Sequence, residues 1–367
     1  KDVAKDLAQM GDSGIAEALP FPFLAMVGQY EMRMALLLAV INPAVGGVLL
    51  IGPRGTGKTT CVRSLTDLLP YVEASLCPEG CLPPGADGDG VADICPDCQR
   101  KLEAGEPISL YEAVKLVELP LNARLEDVVG GINERIAVQQ GRVRLELGIL
   151  ARADQNLLYI DEVNLLDDLI VDAILDAAAQ GSYTVRRGPM VGTYRARFVL
   201  VGSMNPEEGR LRPQIMDRFG LRVPVHGLTD QAERYEVYRR VRRYQSHRRR
   251  FLAEWAEVTA QARDEIGLAR ELLKQTELSG EAVEVGLALV QGLGIDSHRA
   301  EYAMFEAARA HAAADGRNVA DVGDLRAVAA LALRQRRSQF MAEFFAQQSE
   351  EDAAIRERLD ALAGSGR

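Results

Sequence analysis

Lys58 and Thr59 stand near the end of the run GPRGTGKTT, residues 52–60, and Asp161 and Glu162 close the run LLYIDE, residues 157–162. Together these are the parts that phosphoanhydride chemistry uses: a cation for the β- and γ-phosphates, a hydroxyl and a carboxylate for Mg²⁺, and a second carboxylate for water. Gly52, four residues, then Gly57, Lys58 and Thr59 is the phosphate-loop pattern G-x-x-x-x-G-K-[ST]. Its glycines let backbone N–H groups approach phosphate oxygens, and the following helix end adds positive partial charge. Gly52, Pro53, Arg54, Gly55, Thr56, Gly57, Lys58, Thr59 and Thr60 are therefore read as the nucleotide-binding loop. Thr59 and Asp161 would hold the Mg²⁺ of ATP, and Glu162 would polarise the attacking water. An adjacent acidic pair favours hydrolysis over phosphate transfer, because a kinase must exclude that water.

Strands and helices must bring these groups together. VLLI, residues 48–51, and LLYI, residues 157–160, are short unbroken apolar runs, as buried parallel strands are. TTCVRSLTDLLP has helical spacing and stops at a proline. Strand, glycine loop, helix is the geometry phosphate binding needs, and the carboxyl end of a parallel strand is where ligands sit in open α/β sheets. FVLV, residues 198–201, leads to a third strand ending near Asn205, whose amide would fix the same water; a turn-forming Asn before Pro206 is the competing reading. LRPQIMDRFG then places Arg218 ahead of a further strand, LRVPV. From there Arg218 would reach the γ-phosphate of a neighbouring subunit, an arrangement worth about 10³–10⁵ in rate. A surface salt bridge is its alternative, with Arg210 and Arg212 as competitors.

The chain has 367 residues, room for about two domains on a prior of roughly 100–200 residues each. A net charge of −10 argues against a general nucleic-acid binder, and no apolar run approaches the ~20 residues of a membrane span. The first residues do not read as a signal peptide. Five cysteines, four of them clustered, are not the pattern of a disulfide-stapled secreted domain, so the compartment is read as reducing: cytoplasm, or an organelle stroma if a leader has been removed.

FPFLAMVGQ, the phosphate loop, LLYIDEVNLLDD and VGSMNPEEGRLRPQIMDRFG together resemble the magnesium chelatase subunit I family of AAA+ ATPases, over residues 21–337. The resemblance implies an α/β fold, a P-loop three-layer α/β/α core with a C-terminal all-helical lid. The boundaries are an N-terminal extension 1–20, a core 21–226, a linker helix 227–250, a lid 251–337 and a tail 338–367. It also implies Asp161 and Glu162 as Walker B, Asn205 as sensor 1, Arg218 as arginine finger and Arg299, in DSHRAEY, as sensor 2. INERIAVQQGRVRLELGILARAD resembles that family's helix-2 insert. GSYTVRRGPMVGTYRARF, alternating about a Gly-Pro, reads as a β-hairpin and resembles the one before sensor 1. NARLEDVV, residues 122–129, departs from the family's charged pattern.

The implied activity is ATP hydrolysis that drives Mg²⁺ insertion into protoporphyrin IX, a nitrogen–metal ligation on the way to chlorophyll or bacteriochlorophyll. The implied partners are further copies of this chain in a hexameric ring, an AAA+ subunit with an integrin-like domain, and a large porphyrin-binding subunit. Two other readings stay open: the motor of a cobalt chelatase or of a general metalloenzyme-maturation complex, and a non-hydrolysing, nucleotide-gated scaffold.

LCPEGCLPPGADGDGVADICPDC sets Cys77, Cys81, Cys95 and Cys98 in the spacing C-x3-C, thirteen residues, C-x2-C. Two close pairs are what tetrahedral thiolate binding of Zn²⁺ needs. The intervening Pro/Gly/Asp-rich stretch, in the insertion 77–98, has little apolar surface, and a metal would supply folding energy, ~10–16 kcal/mol in small zinc modules. Redox-active pairs and simple free thiols are the alternatives. Cys61 reads as a small buried side chain. Beyond Gly227 the chain reads as helical. Its arginine run, Arg239 to Arg250, is read as a solvated helix pairing with acids rather than a nucleic-acid patch, because the chain as a whole is acidic. Asp296 or Ser297 would cap the helix that opens with Arg299, placing a basic residue in a first turn where it is unfavourable for the helix dipole.

Overall fold

The computed structural model describes residues 20–77, 81–83, 94–132, 145–187 and 190–337, with a few helical positions between 347 and 358. The sequence segments richest in apolar side chains become the centre. Strands β1 (Val48–Ile51), β2 (Leu116–Leu119), β3 (Leu157–Ile160), β4 (Val199–Met204) and β5 (Leu221–Pro224) form one five-stranded sheet in the order β5-β1-β4-β3-β2. Every pairing in it is parallel, with Val48 opposite both Val201 and Leu221. Sheets of this kind are covered on both faces, which is why β3 and β4 are buried along their whole length.

Alternation sorts the two faces. Val48, Leu50, Leu157, Tyr159 and Val201 join one apolar cluster, and Leu49, Leu158, Ile160 and Leu200 join the other. The first face is covered by α1 (Tyr30–Ile41) and α2 (Lys58–Leu65). A short helix, α3 (Pro96–Glu103), belongs to the cysteine segment. The second face is covered by α4 (Asp168–Gln180) and α5 (Pro213–Arg218). This is a three-layer α/β/α core.

The rest is helical: α6 (Gln231–Ser246), α7 (Arg248–Leu273), α8 (Gly280–Gly292), α9 (His298–Ala314) and α10 (Val322–Leu333). Alanines at 300, 303, 307, 308, 310, 312 and 313 bury α9 with small side chains, which lets neighbouring helices approach closely. All of those alanines but Ala313 share the first cluster with α1 and β5, so the helical part is docked on the core. Asn42 Nδ2 donates to Glu306 Oε2 at 2.7 Å, and Arg270 Nε to the Val40 carbonyl at 2.9 Å, which reinforces the joint.

Ser182–Arg187 and Met190–Arg195 pair antiparallel, as the alternating pattern predicts; Gly188 and Pro189 lie outside the described residues. Gly130–Ile132 pairs antiparallel with Leu145–Leu147, and the 133–144 part of the expected insert also lies outside them. Several arginines of the basic run are paired. Arg239 and Arg240 bind Glu236, Arg243 donates twice to Glu254, and Arg240 also lies over Trp255. Among the described residues, no helix is long and apolar enough to cross a membrane.

Candidate functional site

The phosphate loop is shaped by backbone constraints that only glycine meets. A Cβ on Gly52 would lie 2.1 Å from the Val225 carbonyl oxygen, and Gly57 sits at φ 87°. Gly57 is the N-cap of α2 and gives no side-chain cap, so the first N–H groups of the helix face the loop's hollow. Lys58 Nζ, nearly buried, donates to the carbonyls of Gly52 at 2.6 Å and Pro53 at 2.8 Å. Burial pulls its pKa down, and Asp161, Glu162 and Glu208 oppose that shift. Thr56 Oγ1 donates to the Pro53 carbonyl at 3.0 Å, which tightens the loop.

Strand β3 delivers the acids. Tyr159 OH donates to Asp161 Oδ1 at 2.8 Å, and Ser203 Oγ on β4 donates to the same oxygen. Thr59 Oγ1 lies 3.5 Å from Asp161 Oδ2 and 3.2 Å from Tyr159 OH. Asp161 is thus fixed from two strands and turned toward the first turn of α2. Glu162 takes a left-handed backbone, φ 53°, unusual for a residue with a side chain and common where function fixes geometry. Its N–H points at Ser203 Oγ at 3.3 Å, and its carboxylate pairs with Arg54 at 2.9 Å. Arg54 also holds Glu208 at 2.6 Å and remains 70% exposed.

Asn205 follows β4, the strand between those of the loop and the acids, and is buried. The Met204 carbonyl just before it accepts the Gly52 N–H at 3.0 Å, and Asn164 lies 3.5 Å from the Asn205 carbonyl. The structure therefore gathers Lys58, Thr59, Asp161, Glu162 and Asn205 at one end of the sheet. Arg218 and Arg299 have other partners. Arg218 Nη1 binds Asp176 at 2.5 Å and lies 3.4 Å from Asp172, both on α4. Arg299 is more than half exposed, 3.8 Å from Asp217. Ser297 is the N-cap of α9, but its hydroxyl goes to Asp217 Oδ2 at 2.8 Å rather than to the helix.

Beside the loop lies a cavity of about 330 Å³ floored by Gly55, Gly57 and Thr60 and walled by Met26, Val27, Leu228 and Val237. Its size and apolar walls suit a nucleoside. Neither this pocket nor the roles of Tyr159 and Ser203 were read from sequence. The one signal for Tyr159 was a phenol in a buried strand, since such a hydroxyl needs a partner. A loop of uncapped N–H groups, a buried lysine and an aligned hydroxyl–carboxylate pair fit a nucleoside triphosphate with Mg²⁺.

The four clustered cysteines come together as well. The Sγ atoms of Cys77, Cys81, Cys95 and Cys98 all lie within 4.8 Å of one another, and none is in a disulfide. Burial pushes the Cys81 thiol up to about 11 and the Cys98 thiol higher still, whereas the Cys98 N–H holds Cys95 below its usual range. Cys61 is fully buried on α2, and that burial raises its thiol to about 12.

Known proteins share this architecture. A family model described as an AAA lid domain matches residues 288–358. A magnesium-chelatase subunit ChlI homolog of Methanocaldococcus jannaschii is 43% identical over 323 residues, 87% of this chain and 87% of that protein. The magnesium-chelatase 38 kDa subunit of Acidiphilium rubrum is 42% identical over 317 residues, 86% of this chain and 90% of its own. A crystal structure of an ATPase from Cytophaga hutchinsonii, 18% identical, superposes with TM-score 0.54 over 90% of each chain, a likeness of fold. An AAA+ core with its lid, and identity above 40% along most of two chelatase subunits, place the chain in the magnesium chelatase subunit I family.

Proposed function

We propose that this chain is the ATP-hydrolysing motor subunit of a magnesium chelatase, driving Mg²⁺ into protoporphyrin IX on partner subunits. The observation that carries this reading is the Asp161 constellation. A carboxylate oriented by Tyr159 and Ser203 faces Thr59, next to a buried Lys58, in a chain of this family. Bound Mg²⁺ would neutralise charge on the terminal phosphates. Lys58 would exchange its two loop carbonyls for phosphate oxygens. Glu162 would leave Arg54 to orient water, and Asn205 would hold that water from the neighbouring strand. Arg218, held on α4, would act on the site of an adjacent copy, and Arg299 would report from the lid. That division of labour implies a ring, six-membered by family likeness.

The organisation proposed is a core over 21–226, a linker over 227–250, a lid over 251–337 and a tail from 338. The partners are an AAA+ subunit with an integrin-like domain and a large porphyrin-binding subunit, in a reducing compartment. The test is reconstituted chelation with those two subunits, ATP, Mg²⁺ and protoporphyrin IX, followed by product fluorescence. Product that disappears with Lys58→Ala supports the reading. Steady ATPase without product, in the presence of cognate subunits, overturns the magnesium client and favours cobalt chelation or enzyme maturation. An absence of ATPase in the assembled complex leaves the scaffold reading.

A further inference from the structure

We infer that Cys77, Cys81, Cys95 and Cys98 form a tetrathiolate zinc site that fastens the insertion between α2 and β2. A tetrahedron with Zn–S bonds of ~2.3 Å has sulfur–sulfur edges of ~3.8 Å. Cys77 Sγ and Cys95 Sγ are 3.7 Å apart, and all four sulfurs lie within 4.8 Å of one another. A disulfide needs one pair at ~2.05 Å and gives no reason for the other two sulfurs to converge. Four mutually close sulfurs are instead the outline of a coordination shell.

The surroundings suit thiolates. The Cys95 N–H points at Cys81 Sγ at 3.3 Å, and the Cys98 N–H at Cys95 Sγ at 3.4 Å. Such N–H···S contacts orient sulfur ligands and offset their charge. The backbone is braced from the adjoining hairpin, Tyr71–Ser75 with Ser109–Ala113. Ser75 Oγ donates to the Cys81 carbonyl at 2.6 Å and accepts from the Cys77 N–H at 3.0 Å.

Among the described residues, the apolar cohesion of the segment is slight. Its apolar cluster among those described residues has three buried members, Cys81, Cys98 and Ile108, with Cys77, Ile94, Cys95 and Leu102 partly buried against them. Four of those seven side chains are the cysteines themselves, too small a core to hold the ends of a Pro/Gly/Asp-rich stretch together. Zinc is favoured over harder cations because every ligand is sulfur.

The test is metal analysis of the full-length protein, purified under thiol-protecting conditions without added metal. About one zinc per chain is expected, falling to background in Cys95→Ser/Cys98→Ser. Should that variant fail to fold, the wild-type protein decides alone. Exchange with Co²⁺ should give the intense visible bands of tetrahedral thiolate cobalt, and a zinc chelator should expose four further thiols to a thiol reagent. Metal-free protein with these four cysteines fully alkylatable, or with a disulfide among them by mass, overturns the site. Iron in stoichiometric amount overturns the choice of zinc.

Discussion

Replacing Arg218 separates catalysis from stability by magnitude. In the single chain Arg218 binds Asp176 at 2.5 Å and Asp172 at 3.4 Å, partners that are 57% and 45% exposed. Pairs of that exposure are worth about 0–1 kcal/mol each, so Arg218→Ala should unfold at nearly the wild-type denaturant midpoint. Loss of a transition-state arginine costs about 10³–10⁵ in turnover, or roughly 4–7 kcal/mol of barrier. ATPase should therefore vanish while nucleotide binding, read with a fluorescent analogue, persists. Mixing tests whether the arginine acts between subunits. Arg218→Ala keeps the phosphate loop, and Lys58→Ala keeps the arginine. In a randomly mixed ring of equal parts, about a quarter of interfaces join a good loop to a good arginine. Activity approaching that fraction, from two inactive parents, is expected. A mixture as inactive as its parents, with rings verified by mass, would refute action across the interface.

Glu162→Gln should lower turnover by about 10²–10⁴ and spare nucleotide affinity, as expected on removing a general base; unaltered turnover would remove Glu162 from the reaction. Burial pushes the Asp67 carboxyl up to about 6 against the pull of Arg263, so its ionised form costs the fold up to ~3 kcal/mol at neutral pH. Asp67→Asn should accordingly stabilise at pH 7.5, with the gain shrinking as pH falls through 6 toward 4; a gain independent of pH would contradict this. Burial raises Asp324, but Arg317, the Asp321 N–H and His311 outweigh it and hold the group at about 2. It therefore stabilises above pH ~4 and that contribution is lost as pH falls toward 2. Asp324→Asn, which keeps an acceptor for the Asp321 N–H but loses the charge paired with Arg317, should cost ~3–5 kcal/mol near neutrality by urea unfolding, and less in acid.

The sequence was most legible where backbone chemistry leaves few choices. A loop that must avoid Val225 at Gly52 and reach φ 87° at Gly57 advertises itself through glycine, and buried parallel strands through unbroken apolar runs. The hairpin showed in its alternation. Less legible were groups whose role depends on long-range assembly. Tyr159 reads as one more core residue, although its hydroxyl orients Asp161, and Ser203 lies 42 positions from that acid. The nucleoside-sized cavity joins Met26 and Val27 to Leu228 and Val237, apolar residues whose types carry no local signal. Arg218 and Arg299 carried their meaning in motif context; a single chain gives them local acidic partners instead.

The same region joins the helical part to the core. Asp217, one residue before Arg218, receives Arg336 at 2.7 Å, Arg222 at 3.4 Å and Ser297 at 2.8 Å. Arg336 and Arg222 are buried, and Arg336 also donates to the carbonyls of Phe219 at 3.1 Å and Gly220 at 3.0 Å. Two buried cations share one carboxylate. Burial pulls Arg222 down to about 10, and among the described residues its Nε has no hydrogen-bond partner. Breaking a buried charged pair costs ~3–5 kcal/mol, against about 0–1 kcal/mol for each exposed pair that holds Arg218 to α4. Asp217 is thus tied both to the helical part, through Ser297 and Arg336, and to core strand β5, through Arg222, whereas Arg218 is held to α4 only by exposed pairs. The weaker joint is the one on the arginine, so a change at Asp172 and Asp176 should release Arg218 at little cost in stability, whereas Asp217→Asn should lower the urea midpoint by several-fold more than Asp176→Asn; equal losses would contradict this.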